Sequence, residues 1–230
     1  MRTFDPGQFN FDDQDIRIAL QSTSSGTSLS GIEEPIVTDG GGRLIAEFKN
    51  GTLLSREQNL LWRAMTAAMD GGATPVIVMF CDARHQPLGS PSYVPHSDDT
   101  PFDDDSLYSG GGYSDIESAQ NKALRSTTMR IKINSTEKDI IGGEWFGIEH
   151  ATWGWRAYNV ISITKFSGIQ YDIEFRPPLR EAIVSGDVLD FNRPRCQMRV
   201  AQATSNPLSM GRTGGADIAF VEDMKKPAEV

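Results

Sequence analysis

Trp153 to Val200 reads WGWRAYNVISITKFSGIQYDIEFRPPLREAIVSGDVLDFNRPRCQMRV, and this stretch decides the fold class. Ile169, Tyr171, Ile173 and Phe175 alternate with Gln170, Asp172, Glu174 and Arg176. Successive side chains of a strand point to opposite faces, so the spacing predicts a half-buried antiparallel strand with one apolar and one charged face. Cys196, Met198 and Val200 repeat the pattern against Arg195, Gln197 and Arg199. Pro177, Pro178 and Pro194 punctuate the runs at points where a ladder N–H is not supplied. The C-terminal half is therefore expected to be β, with the rest of the chain attached to it.

Working outward, Met129, Ile131 and Ile133 alternate with Arg130, Lys132 and Asn134, a second half-buried strand. Ile218 to Val221 reads as a last strand. Towards the N-terminus, Ile36-Val37 and Leu44 to Phe48 flank Gly40, Gly41 and Gly42, which predicts a hairpin with a glycine turn. A phosphate-cradling loop requires such glycines to lead into a helix, and here a strand resumes. The single predicted helix spans 55–70: Ser55 and Gln58 fit a capping box, Leu61, Ala64, Met65, Ala68 and Met69 form an apolar stripe, and Gly71-Gly72 stops it. Pro75 to Phe80 is a continuous apolar run, read as a buried strand under that helix. The expectation is a mostly β protein with one covering helix. Its parts are 1–80, an acidic Gly/Pro/Asp-rich excursion over 81–127, an antiparallel β-domain over 128–223 and a tail over 224–230. The ring-forming domain named below can combine segments from both ends.

The chain of 230 residues has a formal net charge of −9. Asp98, Asp99, Asp103, Asp104, Asp105, Asp115 and Glu117 fall in one segment without Lys or Arg, so most of the charge is local. An acidic chain of this kind does not grip phosphate backbones, which need clustered Lys and Arg to release counterions. Cys81 and Cys196 sit in apolar settings and read as two buried thiols, with one disulfide as the alternative. The N-terminus lacks the apolar core of a signal peptide and no run is long enough to span a membrane, so synthesis in the cytoplasm is expected.

Chemistry-bearing patterns are sparse. His85, His96 and His150 are scattered and lack metal-ligand spacing, and no Gly-x-Ser-x-Gly elbow follows a strand. Asp172 and Glu174 share an outward strand face, which suits solubility better than glycoside hydrolysis. Neither enzyme activity nor any cofactor or metal is expected, although Asp103-Asp104-Asp105 leaves a fortuitous calcium site open beside a solvated loop. Trp145, Trp153, Trp155 and Tyr158 read as core and barrel-end packing, with a carbohydrate-stacking platform as the alternative. The candidate partner contacts are Asp103, Asp104, Asp105, Trp153 and Trp155.

Seven motifs in order carry a resemblance: TDGGGRLIAEF (38–48), WRAMTAAMDGG (62–72), PVIVMF (75–80), WGWRAY (153–158), FRPPLREAI (175–183), GDVLDFNRPRCQMRV (186–200) and IAFVED (218–223). Together they resemble the distal tail proteins of long-tailed, siphovirus-like bacteriophages; the aspartate-rich excursion falls outside that pattern. The resemblance implies an N-terminal β-domain closing into a hexameric ring around the tail channel. It also implies a peripheral β-domain of barrel, galectin-like or sandwich type. It further implies a virion structural component of the tail tip or baseplate, with tail tube, tail hub or tip, and fibre proteins as partners. DNA would pass the channel without specific binding, and no membrane is involved. The alternative function is a carbohydrate-binding β-module for host-surface recognition.

Overall fold

The computed structural model of the chain describes residues 1–20, 22–27, 29–31, 33–37, 41–80, 85–87, 92–94, 100, 108–110, 113–201 and 214–226. The protein is mostly β, with one α-helix among the described residues. In chain order the elements are β1 (Thr3–Phe4), β2 (Asp13–Ala19), β3 (Ser22–Thr27), β4 (Glu33–Val37), β5 (Arg43–Leu53), α1 (Arg56–Ala68), β6 (Val76–Met79), β7 (Ser92–Val94) and β8 (Tyr108–Gly110). They continue as β9 (Asp115–Ser118), β10 (Thr128–Ser135), β11 (Trp145–His150), β12 (Gly154–Ser167), β13 (Gln170–Arg176), β14 (Arg195–Val200) and β15 (Gly214–Glu222).

Two sheets organise the chain. The first has six strands in the order β1-β6-β14-β15-β5-β2, and the second has five in the order β11-β12-β13-β10-β9. Among the described residues only β1 and β6 pair in parallel. The first sheet draws on both ends of the chain, and the second is contiguous in sequence between them. Strands β3–β4 and β7–β8 form separate two-stranded ladders.

Each sheet has its own core. In the first, Phe4 lies 4.9 Å from Phe220, 5.4 Å from Phe9 and 5.7 Å from Phe48, ring centre to ring centre. Trp62 of α1 closes this cluster, with its ring 5.2 Å from Phe9. Each fully buried ring of this kind stabilises by about 1.5–3 kcal/mol over its exposed state. In the second core Phe146 stacks on Phe191 at 5.2 Å and meets Phe175 edge-on at 5.7 Å. Residues 177–193 fold over that sheet, and their Leu179, Ile183, Leu189 and Phe191 complete its buried cluster.

The alternation read from the sequence holds for Ile173 and Phe175, both buried, but Ile169 is exposed because it lies in the turn before β13. Several expectations are corrected. The glycine hairpin is not formed: β4 pairs with β3, while β5 pairs with β2 and β15. The helix is capped as expected, the Gln58 N–H donating to Ser55 Oγ at 3.1 Å. Its buried face, however, is Trp62, Met65 and Met69, with Leu61 and Ala64 exposed. The large indole fixes the rotation, and Leu60 and Leu61 are left outside. Strands β14 and β15, grouped in the sequence with residues 128–223, lie in the first sheet. Strand β9, grouped there with the 81–127 excursion, pairs with β10 and buries Ile116. The excursion also contains the β7–β8 ladder. Gln197, placed on an outward face by period-two reading, is buried, because β14 is covered on both sides.

One glycine is dictated by close packing. A Cβ at Gly51 would lie 2.7 Å from both the Ala216 carbonyl oxygen and the Phe11 ring. The chain there enters an irregularity in the β5–β15 register, where Asn50 takes a positive φ of 55° and its N–H donates to Asp217 Oδ1 at 2.7 Å.

Candidate functional site at the junction of the two sheets

The two sheets meet through buried arginines. Arg156, on β12 of the second sheet, is 1% exposed, and its guanidinium reaches backbone carbonyls in β14 and just after β15 of the first sheet. Its Nη1 donates to Asp223 O at 2.6 Å and Gln197 O at 3.3 Å, and its Nη2 to Lys225 O at 3.3 Å. Its Nε is buried without a hydrogen-bond partner. Arg180 makes the second link. Its fork holds the Glu222 carboxylate at 3.0 and 2.9 Å, and Nη2 also donates to the Gly42 carbonyl at 2.6 Å. Glu222 in turn accepts the Leu44 N–H at 3.2 Å. A pair of this burial costs much desolvation, and the extra hydrogen bonds on both partners are what make it tolerable.

A neutral polar pair lies beside this link. Tyr158 Oη accepts the Arg180 N–H at 3.1 Å and lies 2.7 Å from His150 Nε2. The two groups share one hydrogen bond, whose direction is set by the tautomer of the neutral imidazole. Burial, the largest cause, pulls the His150 pKa down to about 4. Burial also raises the Tyr158 phenol and pushes the Cys196 thiol up to about 12, so both stay protonated. Burial alone would raise Asp223, but hydrogen bonds from Arg199, Gln197 and the Lys225 N–H outweigh it and hold the carboxyl below its ordinary value.

A cleft of about 290 Å³ opens at this junction. Arg125, Arg156 and Arg180 give it cationic groups, Trp153 an aromatic ring, and Leu124, Pro178, Leu179 and Met224 an aliphatic lining. Glu181 positions Trp153 by accepting the N–H groups of Thr152 and Trp153 at 3.0 and 3.1 Å. The Arg156 guanidinium lies 5.9 Å and the Lys226 ammonium 5.7 Å from the Trp153 ring centre. Cationic, aromatic and aliphatic groups converge here, an arrangement able to bind a small anion through its charge and its body together.

The sequence candidates disperse. Trp145 and Tyr158 are buried, one in each core, as packing predicts. Trp155 does not line the cleft; it lies under Arg195, whose guanidinium is 4.8 Å from its ring centre. Only Trp153 reaches the site. Asp103, Asp104, Asp105, Cys81 and His96 lie outside the described residues. Among the described residues no group of His, Cys, Asp and Glu is placed to hold a metal, and Cys196 is free. No helix there is long and apolar enough to cross a membrane. Asp172 is held by Arg130 at 2.8 and 3.0 Å, and Glu174 pairs with Arg176. The arginines of the junction were missed, yet one signal was present: Arg156 falls in phase with Tyr158 and Val160, on the inward phase of its strand. A charge in an inward phase demands buried partners. Compared with known proteins, the chain matches no protein-family model, and no curated protein matches it either.

Proposed function

We propose that this chain is a distal tail protein of a long-tailed bacteriophage. On this reading it is a structural component that closes into a hexameric ring, joins the tail tube to the tip or hub, and lets DNA pass. The observation that supports the reading most is the form of the first sheet. Among the described residues its terminal strands, β1 and β2, each pair on one side only. An open edge presents unpaired N–H and C=O groups that another chain can complete. The two edges differ, one a two-residue strand and the other a seven-residue strand. Joining unlike edges is a head-to-tail contact, and head-to-tail contacts with a suitable rotation close into rings. The contiguous second sheet is then the peripheral domain, offered to tip and fibre proteins. The net charge of −9 repels passing DNA rather than holding it.

Adjacent N–H groups along β2 point alternately towards β5 and away from it. Of the variants Asp15→Pro and Ile16→Pro, one therefore leaves the β5 ladder intact and blocks the free edge. That variant is expected to fold and to lose assembly, read by circular dichroism with size-exclusion light scattering. Full assembly by both variants would remove the edge-pairing mechanism.

A further inference from the structure

We propose that the cleft at the junction binds a carboxylate carried on a ring-sized body, with Arg125 pairing the charge and Trp153 facing the ring. The inference is independent of ring assembly and rests on three observations.

The first is Arg125 itself. It takes a positive φ of 67°, a left-handed conformation that glycine or asparagine adopts far more readily. It is clamped there: its N–H donates to Leu179 O at 2.9 Å, the Leu179 N–H to Ser126 O at 2.9 Å, and the Ser126 N–H to Ala123 O at 3.2 Å. The turn so fixed places Arg125 in the cleft wall. Among the described residues its side chain has no hydrogen-bond or ion-pair partner, whereas Arg156 and Arg180 are both engaged. Strained residues that persist where an easier residue would serve are concentrated at binding sites.

The second observation is the balance of charge around the cleft. Each nearby carboxylate is already used: Glu222 by Arg180, Asp223 by Arg199, and Glu181 by two backbone N–H groups. Arg156 is hydrogen-bonded to carbonyl oxygens alone, which leave its charge uncancelled, and it keeps a buried, unpartnered Nε. Set against the Glu181 carboxylate, whose charge backbone N–H groups do not cancel, Arg125, Arg156 and Lys226 still leave an excess of positive charge on this part of an acidic protein.

The third is the lining. Leu124, Leu179 and Met224 surround the charged groups with aliphatic surface, and Trp153 adds an aromatic ring. A polyanion would leave that surface unused. A carboxylate matches the two parallel donors of one guanidinium fork, and a single ring fits a volume of about 290 Å³. Two sources carry this chemistry: an acidic sugar, whose pyranose face would lie on the indole, and an aromatic acid.

The test follows the four indole N–H signals by ¹⁵N-correlated NMR, with Trp153 assigned by its loss in Trp153→Phe. D-glucuronate and benzoate are titrated beside their neutral counterparts, methyl glucoside and benzyl alcohol. At least one carboxylate is expected to shift the Trp153 signal saturably in the roughly millimolar range. Its neutral counterpart is expected to bind at least about tenfold more weakly. Arg125→Asn should weaken the carboxylate by a similar factor without lowering the melting temperature, since asparagine accepts the left-handed backbone. Arg125→Lys should fall between, keeping charge but losing the fork. Preference for glucuronate identifies the sugar source, and preference for benzoate the aromatic one. Silence of both acids into the tens of millimolar range (roughly), equal binding of acid and neutral compound, or undiminished binding by Arg125→Asn would overturn the proposal.

Discussion

The two sheets solve the same problem in different ways. The second is a contiguous run, residues 115 to 176, closed by the segment that follows it. The first is assembled from residues 3 to 79 and 195 to 222, which lie on either side of the second in the sequence. The second sheet can therefore form from near neighbours, while the first needs distant segments brought together at greater loop-closure cost. The lesson is one of dependence: β14, β15 and the buried Glu222 tie the discontinuous sheet to the contiguous one through Arg156 and Arg180.

Four changes would sharpen or break that contrast. The largest effect is expected from Phe220→Ala and Phe175→Ala, each about 3–5 kcal/mol, measured by denaturant unfolding. Hydrogen exchange should then tell the sheets apart, with Phe220→Ala exposing amides of β5 and β15 and Phe175→Ala those of β10 and β13. Equal loss of protection in both sheets from either variant would show one cooperative unit instead. Next comes the link. Arg180→Met leaves Glu222 buried without its counter-ion and should cost about 3–5 kcal/mol, whereas the double variant Arg180→Met/Glu222→Gln should recover part of this.

The third change concerns acid. Unfolded His150 titrates near 6.5 and the folded residue near 4, so between these values the unfolded chain binds more protons. Stability is then complete above pH about 6.5 and falls as the pH drops towards 4, by up to about 3 kcal/mol. His150→Gln, whose amide keeps a hydrogen-bond partner for the Tyr158 hydroxyl, should flatten stability over that window. Asp223 adds acid sensitivity of the same sign, lost as its depressed pKa is crossed. The smallest effect is expected at the helix start. Ser55→Ala removes one cap bond, and about 1 kcal/mol of stability should be lost, measured by thermal unfolding.

Much of the β architecture was legible, for reasons that also explain the misses. Ile173 and Phe175 alternate because one face of β13 meets the core, and that pattern is local. Gln197 defeated the same rule because β14 is covered from both sides, a fact held by the second sheet and not by β14's own sequence. The pairing of β5 with β2 and β15 was hidden for a similar reason: Gly40 to Gly42 pointed to a local hairpin, and the true partner β15 lies far along the chain. Trp62 was included in the helix but not in its apolar stripe, because spacing alone does not show which side chain anchors the rotation. The junction was least legible of all. Arg125, Trp153 and Arg180 come from three separate segments: Trp153 and Arg180 fall in WGWRAY and FRPPLREAI, stretches that carry no binding-site pattern, and Arg125 falls in none of the seven motifs. Only Arg156 carried a warning, as a charge on an inward strand phase.

The central claim is assembly by shape, and light scattering coupled to size-exclusion chromatography tests it most directly. The mass should correspond to six copies and remain constant on dilution through the micromolar range, with annular particles in electron micrographs of the same fraction. A mass of one copy at every concentration, with no rings and no association with tail tube or hub proteins, would contradict it.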